Sequence, residues 1–151
     1  MQITSKFTIA VHIITAIDYF KDSEKVTSSF LAGSVGANPV IVRNVMGDLK
    51  KAGIIDISRG RSGIGLSRKL DEITLFDVYK AVDCVNDEGL FHFHENPSPY
   101  CPVGRNIHKA LDEELQSVQD AMENQMRKIT LADVVGRTRQ AIQEEAVERR
   151  G

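Results

Sequence analysis

The feature that most constrains the fold is a regular run of apolar residues between positions 103 and 129. These residues recur every three or four positions, which places them along one side of an α-helix. Pro102 suits the first helical position, so the pattern predicts a helix of about 27 residues, ~40 Å long. The members of this apolar seam are Val103, Ile107, Leu111, Leu115, Val118, Met122, Met126 and Ile129.

A helix of this length extends beyond what a small domain can cover. A narrow apolar seam on a long helix needs a partner, and the simplest partner is the same helix of a second copy. The alternative is that the seam packs across its own domain. Because the helix is long and its apolar seam is narrow, the pattern favours a dimerisation helix over this alternative.

A second helix is bounded by clear start and stop residues within GANPVIVRNVMGDLKKAG, positions 36–53. Asn38 can cap the helix, Pro39 fits its first position, and Gly53 can adopt the left-handed conformation at its end. The predicted core-facing stripe is Ile41, Val45, Leu49 and Ala52. Val40, Arg43, Asn44, Gly47 and Lys50 lie mostly on other faces.

The segment SSFLAGSVG just before it, positions 28–36, predicts a shorter helix with Ser28 or Ser29 as its cap and Gly36 at its end. Two short helices joined by a few residues that include a glycine are typical of a helix-turn-helix. Many packed helical pairs share this pattern, so an alternative without DNA binding stays open.

The segment IIDISRGRSGIGLS, positions 54–67, then predicts a small β-hairpin. Apolar residues alternate with polar ones before and after a glycine-rich turn. Arg59 and Arg61 lie near the tip. A solvated loop tip would explain two such arginines, but beside a candidate recognition helix they suit phosphate or minor-groove contacts. A helix-turn-helix followed directly by such a hairpin predicts a winged helix.

Length and charge agree with one DNA-binding domain and a second, different part. A chain of 151 residues with 42% hydrophobic composition can bury one ordinary core. Residues 1–70 carry ten Lys and Arg against five Asp and Glu, whereas residues 71–151 carry nine against sixteen. The basic first half suits a polyanionic partner. No run reaches the ~20 apolar residues of a membrane span, and we expect a cytoplasmic protein.

A short phrase occurs twice in the second half, as ITLFDV at 73–78 and ITLADV at 129–134. In each copy a threonine and an aspartate three residues later can form a capping box, so both copies predict helix starts. The pairs are Thr74 with Asp77 and Thr130 with Asp133. Residues 137–151 are charged, and we expect a helix extension there that frays into a disordered tail.

Together these segments resemble the Rrf2 family of bacterial winged-helix transcription regulators. The matching stretches are SKFTIAVHII, NPVIVRNVMGDLKKAGII, SRGRSGIGL, ITLFDVYKAV and FHFHENPSPYCPVGRNIHKALDEELQSVQDAMEN, which cover nearly the whole chain. The resemblance implies a mainly α-helical fold with a hairpin wing and a long dimerisation helix. It also implies a homodimer that binds an imperfectly palindromic operator and represses transcription, and no enzymatic activity.

Carried over by position, the resemblance implies a set of DNA-contacting residues. The recognition helix contributes Asn38, Pro39, Val40, Arg43 and Asn44, the wing Arg59 and Arg61, and the starts of earlier helices Ser5, Lys6 and Ser29. The implied organisation is a winged domain at 1–83, a sensor loop at 84–101, the dimerisation and following helices at 102–136, and the tail at 137–151.

The chain departs from the cluster-binding members of that family, which carry three closely spaced cysteines before the long helix. Here that loop holds only Cys101, and Cys84 lies seventeen residues earlier. We therefore expect no iron-sulfur cluster and no other cofactor, since such clusters take four ligands. Cys101 is the candidate sensor, because Pro102 places it beside a helix N-terminus that favours a thiolate.

Two alternatives from other classes stay open. The first is a metal-binding or redox protein that uses His92, His94 and Cys101, with His108 as a further ligand. The second is a winged helix that serves only as a protein-interaction module. The leading interpretation is a dimeric, sequence-specific regulator that responds to a redox or small-molecule signal.

Overall fold

A computed structural model of the chain describes residues 4–57, 63–82 and 89–151. Its elements follow in the order α1 (Ser5–Phe20), α2 (Ser28–Val35), α3 (Pro39–Lys51), β1 (Ile55–Ile57), β2 (Ile64–Leu66), a 3₁₀ turn (Leu70–Glu72), α4 (Leu75–Ala81), α5 (Pro102–Lys128) and α6 (Leu131–Arg150). The predicted class, mainly α-helical with a small β-hairpin, is confirmed. None of the described helices is both long and apolar enough to cross a membrane.

Helices α1 and α3 form the centre of the core. In α1, the side chains of Ile13, Ile14 and Ile17 are at most 1% exposed to solvent. They pack with the buried residues of α2, α3, the hairpin and α4, in one continuous cluster that also includes Leu131 at the start of α6. Burying apolar side chains is the main favourable term in folding, so this cluster fixes how α3 is presented.

The buried stripe of α3 differs from the predicted one. Ile41 and Ala52 are exposed, and the residues that face the core are Val42, Val45, Met46 and Leu49. The predicted stripe was wrong at its ends because each step of four residues advances about 40° around a helix, so Ile41 rotates out of the arc that Val45 and Leu49 occupy. The observed residues span about 100° of the helix, and the centre of their arc lies about 50° further round than that of the predicted stripe, on the side of Val42 and Met46.

Both ends of α3 match the predicted caps. The side chain of Asn38 accepts a hydrogen bond from the Val40 N–H at 2.8 Å, and Pro39 is the first helical residue. At the other end Gly53 has φ 74°, its N–H donates to the Lys50 carbonyl, and the Ile54 N–H donates to the Leu49 carbonyl. These two bonds form a Schellman motif, which turns the chain into β1.

The cap of α2 differs from the predicted one. Thr27, rather than Ser28 or Ser29, caps α2 by accepting a hydrogen bond from the Phe30 N–H at 3.1 Å. Thr4 occupies the cap position of α1, but its side chain makes no capping hydrogen bond. Gly36 ends α2 with φ 71°, as its position in the turn predicts.

The hairpin is antiparallel, with Ile55 opposite Leu66 and Ile57 opposite Ile64. It is fastened to the chain before α2, because the Ile64 N–H donates to the Val26 carbonyl at 3.0 Å. Gly63 has φ 70°, and a Cβ atom there would lie 2.5 Å from the Val26 oxygen, so only glycine fits. The predicted wing tip, which contains Arg59 and Arg61, lies outside the described residues.

The two ITL phrases lie side by side. The Leu75 N–H donates to the Ile129 carbonyl at 2.9 Å, and the Leu131 N–H donates to the Ile73 carbonyl at 2.7 Å. Each phrase forms the capping box that its sequence predicts. Hydrogen bonds from Thr130 hold the pKa of the Asp133 carboxyl below its ordinary value, so this box weakens only in acid. The paired phrases join the start of α4 to the start of α6.

Helix α6 continues to Arg150, through the charged segment after Gly136 that the sequence predicts to extend the helix. The capping box at Thr130 starts the helix, and side-chain pairs such as Gln140 with Glu144 span its later turns. Arg139 binds the buried carboxylate of Asp18 on α1 at 2.9 Å.

Candidate nucleic-acid interface

The solvent-facing side of α3 carries the residues that the sequence assigned to DNA. Asn38, Pro39, Val40, Arg43 and Asn44 are all exposed. They occupy the N-terminal cap and first two turns, directly opposite the buried stripe. Unsatisfied N–H groups and the helix dipole make this end of α3 favourable for an anion. Side chains at this end of a recognition helix are the ones that reach base edges in helix-turn-helix proteins.

Arg43 provides the cation on this surface. Among the described residues, no carboxylate lies within ion-pair distance of it. Asn44, the next residue, offers both a donor and an acceptor in its amide. The side-chain oxygen of Asn38 accepts the capping hydrogen bond from the Val40 N–H. The amide nitrogen of the same side chain remains able to donate. The surface can therefore bind both phosphate and base edges.

Gly47 lies on the same side of α3 and was not among the residues expected to contact DNA. A Cβ atom added there would meet no atom of the protein within 4 Å. Glycine inside a helix costs about 0.5–1 kcal/mol relative to alanine, so packing within the chain does not explain it. Because glycine has no side chain, another molecule can approach the helix backbone closely at this position. The only signal in the sequence was the helix-interior position itself.

The remaining residues expected at the interface lie at the starts of other helices. Ser5 and Lys6 are exposed in the first turn of α1, and Ser29 is exposed in the first turn of α2. Such positions suit phosphate contacts, because the first backbone N–H groups of a helix lack partners within it. The base of the wing follows α3 directly, with the Ser67 N–H donating to the Ile54 carbonyl at 2.9 Å.

The described part of the loop before α5 packs against that helix through His108. One ring nitrogen of His108 lies 3.1 Å from an Asp112 carboxylate oxygen and the other 3.1 Å from the His94 carbonyl. The Phe93 ring meets the His108 ring edge-on, with centroids 5.9 Å apart. In the part of the chain that the structure describes, no three His, Cys, Asp or Glu side chains converge to hold a metal ion.

Cys101 occupies the N-cap position of α5, as predicted, and is exposed. Its carbonyl accepts the first hydrogen bond of the helix, from the Arg105 N–H at 2.9 Å, but its side chain makes no capping bond. Cys84, the other cysteine of the sequence, lies outside the described residues.

The apolar seam of α5 is divided between two environments. Met122 and Met126 pack against the core of their own chain, and Leu115 lines a small gap with Phe91 and Phe93. By contrast, Val103 is 69% exposed and Val118 is 52% exposed. The prediction of one uniform stripe facing a partner is corrected accordingly: part of the seam is covered within the chain, and Val103 and Val118 remain uncovered.

Comparison with known proteins agrees with this architecture. Residues 3–137 match the Rrf2 family, described as an iron-dependent transcriptional regulator family. The chain is 44% identical over 134 residues to YwnA of Bacillus subtilis (strain 168), whose provisional name is HTH-type transcriptional regulator; the match covers 89% of this chain and 97% of YwnA.

Solved structures show the same fold. A provisionally named transcriptional regulator from Lactobacillus plantarum is 26% identical, with a TM-score of 0.72, and the match covers 95% of this chain and 98% of that one. CymR of Bacillus subtilis, the global cysteine regulator, is 18% identical, with a TM-score of 0.66 and coverage of 90% and 97%. These relatives are regulators rather than enzymes, as the sequence predicts. The chain belongs to the Rrf2 family of transcriptional regulators.

Proposed function

We propose that this protein is a dimeric, sequence-specific DNA-binding repressor that places α3 in the major groove. The observation that carries the proposal is the outer face of α3, where Arg43 and Asn44 surround the bare surface at Gly47. No other segment of the described chain covers this face of α3, whereas the opposite face of the helix is buried in the core. A repressor bound to a promoter excludes RNA polymerase, and this is the simplest mode of action for a regulator in the cytoplasm.

The dimer is supported by the uncovered part of the α5 seam. A helix of 27 residues extends about 40 Å, and Val103 and Val118 lie on one side of it with no cover in the described chain. Two copies related by a two-fold axis would place two α3 helices on two related half-sites. The operator is then expected to be palindromic.

The contacts beyond α3 follow from the same placement. We assign Arg59 and Arg61 of the wing to the minor groove or its phosphates, and Ser5, Lys6 and Ser29 to the DNA backbone. Contacts to phosphates fix orientation without reading sequence. Alanine at Ser5, Lys6 or Ser29 should therefore weaken binding to all sequences alike.

The test of this function is selection from a library of random duplexes by the full-length protein. We expect enrichment of one palindromic sequence, called the selected duplex below, and a steep loss of affinity with salt as counterions are released. Reporter transcription from a promoter overlapping that sequence should fall when the protein is present. Failure to enrich any sequence would support a protein-interaction module instead.

Gly47 provides a prediction that separates folding from DNA contact. Gly47→Ala should raise the free energy of unfolding by about 0.5–1 kcal/mol, because alanine is the better helix former. The same change should lower affinity for the selected duplex about tenfold or more, since overpacking a close contact costs about 1–3 kcal/mol. Urea denaturation and fluorescence anisotropy measure the two effects.

Gly136→Ala is the matched control. Gly136 also lies inside a helix, and a Cβ atom there would also meet nothing within 4 Å. This variant should gain similar stability and keep full DNA affinity. Equal DNA affinity for the two variants would show that Gly47 does not face DNA.

We further propose Cys101 as the sensing residue of the loop at 84–101, with no metal or iron-sulfur cofactor. Its exposed thiol stands where the loop joins α5, so modification there can alter the spacing of the two α3 helices. Hydrogen peroxide should release the wild-type protein from the selected duplex. Cys101→Ser should stay bound under the same treatment, and its release would remove Cys101 from the sensing role.

A further inference from the structure

The first turn of α3 exposes two large apolar side chains. Val40 is 55% exposed and Ile41 is 42% exposed. The exposed large apolar residues of the described chain are Val40, Ile41, Phe93, Tyr100, Val103, Val118 and Val147. Within this set only Val40 and Ile41 are adjacent in the sequence. Together they form a small apolar surface, which we call the apolar step.

The apolar step is not needed for folding. The core-facing residues of α3 begin at Val42, and the helix is capped by Asn38 and Pro39 independently of both side chains. β-Branched residues are also weaker helix formers than the polar alternatives available at an exposed position. Two such residues in the first turn therefore point to a partner that is apolar at this place.

The position of the apolar step on α3 indicates what it contacts. This inference rests on the DNA-binding function proposed above. The step lies within one turn of Arg43 and Asn44, on the part of α3 expected to enter the major groove. Thymine is the only base that presents an apolar group there, its C5-methyl. The Asn38 cap holds the first turn rigid, so the two side chains can be placed against defined base pairs.

We propose that Val40 and Ile41 read thymine C5-methyl groups in each half-site of the operator. Val40 lies at the centre of the exposed face of α3, and Ile41 is rotated about 100° from it. Each side chain therefore reaches a different methyl group. The operator half-site contains at least two thymines that are recognised by an apolar contact, beside the bases read by the polar residues.

Replacing thymine by uracil in the selected duplex tests this directly, because uracil lacks only the methyl group. Each thymine is replaced in turn, at both two-fold related positions, and binding is measured by fluorescence anisotropy at fixed salt. Losing one buried methyl group should weaken binding about fourfold per half-site, so about fifteenfold when both half-sites are changed. We expect two such thymines per half-site.

Protein variants assign each methyl to a side chain. Val40→Ala should bind the thymine and uracil forms equally at one position, and Ile41→Ala should do so at the other. Val147→Ala is the control, because Val147 is also exposed, at the far end of α6. It should discriminate as the wild type does. All three variants should unfold at the wild-type temperature or slightly above it, because alanine is the better helix former at an exposed position.

The outcomes separate this inference from the function on which it rests. Specific binding that is insensitive to every uracil substitution would overturn the methyl readout and leave DNA binding intact. If Ile41→Ala keeps full discrimination at every thymine, Ile41 is not a reader and the two-residue proposal is wrong. If no duplex is enriched at all, both the function and the inference fail.

Discussion

Replacing Val118 with glutamate is expected to turn the dimer into a monomer and to lower affinity for the selected duplex at least about 100-fold. Val118 is 52% exposed in the single chain, so the substitution should cost little in the monomer. In a packed dimer seam the same carboxylate would be buried without a partner, which costs several kcal/mol. Sedimentation velocity measures the oligomeric state, and circular dichroism checks that the chain still folds.

The matched control for this prediction is Lys109→Glu. Lys109 is exposed and lies nine residues earlier, about 2.5 turns away, so it faces the opposite side of α5. This variant should remain dimeric. Val118 is a better probe than Leu115, because Leu115 lines a small gap with Phe91 and Phe93 of its own chain and a charge there would disturb the monomer. A dimeric Val118→Glu protein would show that two copies do not meet along this seam.

Replacing Arg43 with alanine is expected to cost about 1–3 kcal/mol of binding free energy, and to relax sequence preference at one position per half-site. Arg43 lies one turn into α3, on its exposed side, and has no ion-pair partner in the described chain. A guanidinium in this place can pair with both acceptors on the major-groove edge of guanine. Repeating the duplex selection with the variant measures the change in preference.

Arg43→Lys distinguishes base reading from simple charge. Lysine keeps the positive charge but cannot form the same planar pair of hydrogen bonds. If Arg43 reads a guanine, the lysine variant should lose preference at the same position as the alanine variant. If Arg43 contacts a phosphate instead, the alanine variant should weaken binding to every sequence equally and reduce its salt dependence, and the lysine variant should largely retain both.

The local limits of the elements could be predicted from the sequence because they depend on neighbouring residues. The caps of α3 at Asn38 and Gly53, and the two capping boxes at Thr74 and Thr130, are hydrogen bonds within a few residues. Cys101 at the start of α5 follows in the same way from Pro102. The family resemblance added the order of these elements, which the structure has, and the match over residues 3–137 confirms the family.

The features that were not predicted depend on contacts between distant segments. The assignment of Ile41 to the core was wrong because an apolar residue near the edge of a helical stripe faces inward only if another segment covers it. The pairing of the two ITL phrases joins residues more than fifty positions apart. The division of the α5 seam likewise depends on where Phe91 and Phe93 pack. The single-sequence pattern contains no information on these distances.

Hydroxyl-radical footprinting of the wild-type protein on the selected duplex tests the central claim most directly. We expect two protected patches, related by a two-fold axis and on one face of the duplex, with their centres one helical turn or a multiple of it apart. The Val118→Glu protein should lose both patches at the same concentration. A single protected patch with no two-fold related mate would contradict a dimer that reads two half-sites through α3. Protection spread evenly along the duplex would contradict it as well.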